Sequence, residues 1–433
     1  MISRARDAIL RPPMEANCDP HNGTLSGHAA GPVSVLMVAI GGYGFHYLKT
    51  LLEETQPARC RLAGVVDPMA RQSMLWPEVS RLGVPVYAAM EEFYGDGRRA
   101  DLAVISSPIH WHVPQSVVAL SQGSAVLCDK PLGATIQEAQ ELIRARDRSG
   151  LWVMIGYQWS YSAAILALKR DILAGLFGAP RRLSTLCCWP RDNSYYSRND
   201  WAGTLRDCTT GRWVLDSPAN NAMAHFLHNL FFVLGPELHL SARPVTVQAE
   251  MYRAYPIESC DTAACRARTE SGTELLFYAS HATERATAPR FRFLFEDAMV
   301  ACGEDGDEIV AIDRRGQLKS YGSPDDTPQF FKLSAAIERV RGQGTIVCGP
   351  EAALPQTLCL NGMHESVAEI PCFPEALVES AAAPGRRFVR GLGDALLRCY
   401  REGLLPGEAG VPWAIPGKPV HLEDFSHFPG GTP

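Results

Sequence analysis

A short apolar run, Val126-Leu127-Cys128, ends abruptly in Asp129, Lys130 and Pro131. Proline fixes its own φ and moves the residue before it out of the helical region, so a strand must stop there in an extended turn. A lysine in that place hangs at the carboxyl edge of a sheet, where open α/β folds bind their ligands. An amine so placed suits proton transfer to and from a hydroxyl, and the plainer alternative is a solvated lysine in a surface turn. A second group of polar residues lies further on. His225 and His228 stand three apart and Asn221 one turn before His225, so on a helix the three share a face. An amide and two imidazoles are costly to bury without partners, which suits the wall of a sugar pocket or a polar helix surface. The two histidines lack both the i, i+4 spacing and a third ligand, so no metal is expected.

The elements that must position these groups can be read upstream. Val33 to Ile40 is nearly all apolar, as a strand buried on both faces should be. Gly41, Gly42, Tyr43 and Gly44 follow at once, then a helical stretch from Phe45 to Leu52. Strand, glycine turn and helix form the context of a dinucleotide fingerprint, in which the backbone approaches a pyrophosphate lying on unpaired N–H groups of the helix start. Against G-x-G-x-x-G, Ala39 replaces the first glycine, which is tolerable only if that turn does not need positive φ. The strand Cys60–Val66 ends in Asp67, 23 residues after Gly44, close to the separation at which a carboxylate reaches ribose hydroxyls. A carboxylate there repels a 2′-phosphate and favours NAD over NADP. The alternative is an acid capping a helix that begins near Met69.

Asp101–Ser107 reads as a third strand, followed by a helix with Pro114 in its first turn and Gly123 at its end. Thr135 to Glu138 is a capping box opening a helix to about Ser149, and Leu151–Gly156 is another strand. Strands alternating with helices at this spacing mean a parallel, doubly wound sheet. Beyond it, Ser162–Gly175 reads as a helix, and the texture then becomes strand-like. Arg182–Leu186, Val245–Met251, Leu275–Tyr278 and Phe291–Phe295 read as strands, several of them alternating in polarity as antiparallel strands do. Helices are expected at Ala222–Leu234, Lys332–Arg341, Pro350–Leu360 and Arg386–Arg401.

These pieces in this order resemble the glucose–fructose oxidoreductase and inositol dehydrogenase family, Gfo/Idh/MocA. The resemblance rests on the glycine turn, Asp67, Ser106-Ser107-Pro108-Ile109-His110-Trp111-His112, Asp129-Lys130-Pro131 and a later histidine. The family usually has Glu-Lys-Pro, and here Asp129 supplies a shorter carboxylate. The resemblance implies an N-terminal Rossmann domain over 33–157 and a C-terminal α+β domain over 158–405 with a large, mostly antiparallel, open-faced sheet. A flexible extension (1–32) and a tail (406–433) flank them. It further implies that Gly41, Gly42, Tyr43, Gly44, Asp67, Ser107, Pro108, His112, Asp129, Lys130 and Gln158 bind NAD. Lys130, Trp159, Asn221, His225 and His228 would meet substrate, with Lys130 and His225 catalytic and Asp129 holding Lys130. Asn221, Met223 and His228 depart from the family's Asp-x-Gly-x-His-x-x-Asp pattern, which suggests a subgroup with its own pocket. The aromatic and polar stretch Trp189–Trp201 has no strand or helix period and reads as a specificity loop near a pocket mouth.

The expected activity is hydride transfer between NAD and a carbinol carbon of a sugar, cyclitol or related polyol. A glycosidase using transient C3 oxidation and a non-catalytic NAD-binding sensor are the alternatives. Bulk properties agree with a globular enzyme. Across 433 residues the net charge is -6 and no basic run occurs, so nucleic acid is not an expected partner. No apolar run reaches the roughly 18 residues of a membrane span. The segment before Gly31 carries no hydrophobic signal core, and 13 scattered cysteines without a CxxC pair suggest reduced thiols in the cytoplasm. A homo-oligomer, dimer or tetramer, follows from the resemblance.

Overall fold

The computed structural model describes residues 31–53, 58–304, 306–381 and 385–430. Cys18, His21, His28 and nearly all of the expected N-terminal extension lie outside the described residues. Six strands form the first sheet: β1 (Val33–Val38), β2 (Cys60–Val66), β3 (Val86–Tyr87), β4 (Leu102–Ile105), β5 (Ala125–Cys128) and β6 (Val153–Ile155). All neighbouring pairs are parallel and the order is β3-β2-β1-β4-β5-β6. Every residue of β1, β4, β5 and β6 is buried, because helices cover both faces of a parallel sheet. The order reverses between β1 and β4, which opens a crevice at the carboxyl ends of the strands. The glycine turn, Ser107 and Lys130 all follow strands that end there.

The intervening helices are α1 (Gly44–Glu53), α2 (Trp76–Leu82), α3 (Met90–Gly95), α4 (Ile109–Ser121) and α5 (Ile136–Ser149). The capping box of α5 is present: Glu138 Oε2 accepts from the Thr135 backbone N–H at 3.0 Å, and Thr135 Oγ1 accepts from the Glu138 N–H at 3.4 Å. Helix α4 starts earlier than expected. Pro108 occupies its N-cap, so Pro114 falls inside the helix rather than in its first turn. Strand β3, two half-buried residues without an apolar run, was not legible.

The second part holds α6 (Ala163–Leu173), β7 (Pro180–Cys188), α7 (Asn193–Tyr196), α8 (Ala224–Phe232), β8 (Pro244–Tyr252), β9 (Thr262–Thr269), β10 (Glu274–Ser280), β11 (Thr287–Phe295), β12 (Ala298–Cys302), β13 (Val310–Asp313) and β14 (Leu318–Ser320). After these come α9 (Phe331–Val340), α10 (Pro350–Ser366), the hairpin β15 (Val378–Ser380) and β16 (Arg387–Val389), α11 (Leu392–Glu402) and β17 (Val420–His421). Nine strands form one sheet in the order β14-β13-β12-β11-β7-β10-β9-β8-β17, antiparallel except for β7 beside β10. Alternation sorts its side chains. Leu183, Cys187, Phe277, Phe291 and Phe293 enter the main core, while Leu186, Leu276 and Tyr278 pack on the other face with Leu392, Leu396 and Cys399 of α11. Part of the outer face is thus covered within the chain.

Two sequence expectations fail here. Arg386–Arg401 is not one helix: Arg387–Val389 pairs as a strand, and Gly391, at φ 74, turns the chain before α11. Residues 406–430 are not a loose tail. Val420 pairs with Val247, the Lys418 N–H donates to the Ser366 carbonyl, and buried Phe428 is held to Gln137 of α5 by two hydrogen bonds. Single apolar anchors such as Leu422 and Phe428 carry no periodicity, which is why this docking left no trace in the pattern. The chain also returns to the first sheet, since the Ile155 N–H donates to the Cys348 carbonyl and Asn361 of α10 bonds both Ile136 and Ala134.

Candidate active site at the carboxyl edge of the parallel sheet

The glycine turn has the shape a nucleotide pyrophosphate needs. A Cβ built on Gly41 or Gly42 would meet nothing within 4 Å, so open space lies over both. A Cβ on Gly44 would lie 2.2 Å from the Ala39 carbonyl oxygen and 2.5 Å from Ser106 Oγ, so glycine is required for the close approach of α1 to the strands. Ala39 itself has φ 62 and Gly42 φ 49. The turn therefore does use a left-handed residue at the position where the fingerprint has its first glycine, and alanine occupies it under strain.

Asp67 combines both readings given to it. Its Oδ1 accepts from the Met69 N–H at 2.7 Å, a local cap, while its Oδ2 accepts from the Ile40 N–H at 2.9 Å and so sits against the glycine turn. A carboxylate has about four acceptor sites, so two are left for a ribose diol. These residues fit NAD. Tyr43 lies beside the turn, its ring 5.4 Å from Phe330 and its hydroxyl accepting from Gln329 Nε2 at 2.9 Å. The same Gln329 donates to Gln158 Oε1 at 3.1 Å, which puts Gln158 at the same rim. Ser107 donates to Gln115 at 2.6 Å, and Pro108 shapes the start of α4.

His112 has a task within the fold itself. It is fully enclosed, with Nδ1 2.6 Å from the Pro131 carbonyl and Nε2 2.9 Å from the Ser107 carbonyl. Burial disfavours the charged ring, so the single N–H of the neutral imidazole donates to one of these carbonyls while the ring fills the space between the turn after β5 and the turn after β4. Its placement is that of a residue positioning the two turns.

Asp129 is likewise reassigned. Its Oδ1 accepts from Tyr47 Oη at 2.9 Å and from Lys332 Nζ at 3.0 Å. Lys332, wholly buried, also donates to the Gly156 carbonyl at 2.8 Å, and the rings of Tyr43, Tyr47 and Phe330 surround it. The carboxylate next to Lys130 in sequence thus holds a different lysine, and it is buried among its own partners rather than open to cofactor. Lys332 was missed. The available signal was its place on the stripe it shares with Ala336 and Val340 of an amphipathic helix, where a lysine needs a partner.

Lys130 turns to the other domain. Its Nζ donates to the Asn221 backbone carbonyl at 2.8 Å and to Asn221 Oδ1 at 3.1 Å. An ammonium has three donor positions, so one remains for a further acceptor. Burial pushes its pKa below the ordinary lysine value. The neighbouring charges of Lys332 and Arg198 push the same way, against the pull of Asp129 and Asp216. Asn221 is fixed in turn, its Nδ2 donating to Asp216 Oδ1 at 2.8 Å, while Asp216 Oδ2 accepts from the Gly203 N–H at 2.6 Å. Leu215, just before Asp216, has φ 50 and is fully buried, a costly conformation for a branched side chain. The Leu215 and Asp216 N–H groups donate to the Leu205 and Thr204 carbonyls, which holds it in place.

His225 lies in the first turn of α8, edge-on to Tyr157 with ring centroids 5.8 Å apart. Burial and the charges of Lys130 and Lys332 hold its pKa well below the usual histidine value, so the ring is neutral at neutral pH. His228 flanks the same tyrosine, stacked at 3.9 Å, but Nε2 is taken by Ser160 Oγ at 2.8 Å and the ring is 1% exposed. The structure thus places His228 in the packing between Tyr157 and Ser160. All nine residues of α8 are buried, so a shared helix face does not mean a shared pocket wall. Trp159, whose place in an aromatic run suits core packing as well as a sugar contact, donates its Nε1 to Asp325 at 2.9 Å and packs its ring on Phe226 and Phe291 in the core. Among the described residues no group of three or more His, Cys, Asp or Glu side chains is placed to hold a metal ion.

Residues 33–157 match the family model of the Gfo/Idh/MocA oxidoreductases, described as an NAD-binding Rossmann fold. Over this domain the chain is similar to that family. Rhizopine catabolism protein MocA of Rhizobium meliloti is 28% identical over 117 residues, which are 27% of this chain and 36% of that protein. An inositol 2-dehydrogenase of Burkholderia multivorans is 28% identical over 191 residues, 41% of this chain and 53% of the relative. The chain thus spans about half or less of these relatives' length. Among solved structures, the WlbA dehydrogenase of Bordetella pertussis, in complex with NADH and UDP-GlcNAcA, superposes with a TM-score of 0.64 at 18% identity, covering 77% of this chain and 96% of that one. UDP-N-acetylglucosamine 3-dehydrogenase GnnA of Acidithiobacillus ferrooxidans gives 0.60 at 20% identity, covering 78% and 98%. These two likenesses establish that both sheets follow a shared fold.

Proposed function

We propose that this chain is a Gfo/Idh/MocA NAD-dependent dehydrogenase that moves a hydride between the nicotinamide and a carbinol carbon of a sugar, cyclitol or related polyol. Lys130 is the proton-transfer group. The observation that carries this is the setting of Lys130: a partly buried amine of lowered pKa, held by two oxygens of Asn221, in the crevice that also contains the glycine turn and Asp67. Bound NAD supplies the hydride acceptor or donor. Lys130 takes the hydroxyl proton during oxidation and returns it during reduction, a role that works best when its pKa lies near the working pH. Asn221 orients the amine and passes the hold of Asp216 to it. Neutral His225, close enough to Lys130 for the ammonium to disfavour its protonation, positions the reacting oxygen.

The test is a titration with NAD⁺ and NADP⁺ followed by a screen of sugars, cyclitols and glycosides for NADH absorbance. NADH formation with a polyol, reduced about 10²–10⁴-fold in Lys130→Ala while NAD⁺ binding persists, is the expected result. Glycoside cleavage without net NADH would replace the dehydrogenase with a glycosidase cycle. Binding of neither nucleotide would end the proposal.

A further inference from the structure

The stretch Trp189–Trp201 has no part in the chemistry derived above, yet it is built onto the site. Its start is fixed by the Trp189 and Arg191 N–H groups, which donate to the Ser280 and His281 carbonyls. Just beyond its end, the Gly203 N–H donates to the same Asp216 that holds Asn221. Between these anchors, Tyr195 carries two guanidinium groups over its ring, Arg191 at 4.7 Å and Arg198 at 3.7 Å from the ring centroid. Arg198 also lies over Trp201 at 5.4 Å and donates to the Tyr195 carbonyl. Neither arginine has a carboxylate within ion-pair distance among the described residues, whereas Arg146, Arg182, Arg266 and Arg292 all do. Asp192, the acid beside Arg191, is turned into its own loop, where its Oδ1 accepts from Ser194 Oγ and the Tyr195 N–H.

Two guanidiniums stacked on one aromatic ring without a counter-ion repel each other, and the arrangement is relieved by a bound anion. Planar, forked donors suit a carboxylate or a phosphate. The charge of Arg198 is felt at Lys130, whose protonation it disfavours, and at the Asp216 carboxylate, which is already committed to Asn221 and the Gly203 N–H. In a chain with net charge -6, two guanidiniums without an ion-pair contact beside a crevice favour anionic ligands.

We propose that Arg191 and Arg198, mounted on Tyr195, form a subsite for an anionic substituent of the substrate, so that the polyol oxidised at Lys130 is an acid or a phosphate ester. This rests on the dehydrogenase reading and narrows its substrate class. The test is calorimetric titration of the full chain, with and without NAD⁺, with D-glucuronate and an inositol monophosphate against D-glucose and myo-inositol. At least one anionic probe should bind more tightly than its neutral counterpart, and added salt should weaken it selectively. Arg198→Gln should weaken that probe about tenfold or more, as loss of a charge-assisted hydrogen bond does, and leave NAD⁺ and neutral sugars unchanged. Arg191→Gln should act in the same direction. Preference for the uronate marks a carboxylate site and preference for the ester a phosphate site. Neutral polyols binding as well as anionic ones, or Arg198→Gln weakening both alike, would overturn the subsite while leaving the dehydrogenase standing. So would failure of both anions to bind a chain that still takes up NAD⁺. Loss of NAD⁺ binding itself would instead count against the dehydrogenase, and the nucleotide-free titrations would still decide the subsite.

Discussion

Two lysines flank Asp129 and they are treated in opposite ways. Lys332 reaches it from 203 residues away, is wholly buried, and has the carboxylate, a carbonyl and three aromatic rings around it. Lys130, its chain neighbour, has no ion-pair contact with it and is held by two neutral oxygens of Asn221. One is a structural ion locked in place. The other is an amine without an ion-pair contact, whose pKa burial lowers against the pull of Asp129 and Asp216. The same acid thus builds the floor with one lysine and, by being occupied, leaves the other chemically free.

The largest change should follow from breaking the locked pair. Lys332→Met leaves the Asp129 charge buried without its partner, and a loss of about 3–5 kcal/mol in stability is expected from denaturant unfolding. Adding Asp129→Asn to that variant should recover much of the loss, because no uncompensated charge then remains. A double variant as unstable as the single would mean that Lys332 acts through packing alone. The free lysine predicts a sign for the pH dependence. A lysine whose folded pKa lies below its unfolded value is deprotonated first in the fold, so its contribution to stability rises with pH between the folded pKa and the ordinary lysine value. Lys130→Met should flatten that rise in an unfolding series, and it should remove the alkaline gain in oxidation rate. A smaller effect belongs to Ala39. Its left-handed φ makes Ala39→Gly stabilising by about 1 kcal/mol, net of the extra freedom glycine gives the unfolded chain. A neutral or destabilising result would show that the turn relaxes around alanine.

The parallel half was legible because strands buried on both faces leave continuous apolar runs, and each ends at a glycine or proline whose backbone preference is definite. The antiparallel half was legible only where alternation was strong. β9, rich in alanine, and the short β12, β13, β14 and β17 left no clear pattern. In the site, the meeting of Lys130 with Asn221 and His225 was within reach, since each stands at an element end with a polar group that needs a partner. Which lysine Asp129 would choose was not, because the competitor lies in a helix that returns from the other domain. For His228 and Trp159 the residues left a choice for a related reason: a polar atom on a helix or an aromatic run does not disclose whether the core already contains its partner, here Ser160 and Asp325.

The central claim, that Lys130 is an amine kept reactive by its surroundings, is tested most directly by competitive acetylation of the full chain across pH with peptide-level mass spectrometry. The account predicts that Lys130 titrates below the ordinary lysine range, and that its pKa moves upward in Lys332→Met as the freed Asp129 charge acts on it. A Lys130 that titrates like the exposed lysines, unmoved by Lys332→Met, would contradict it.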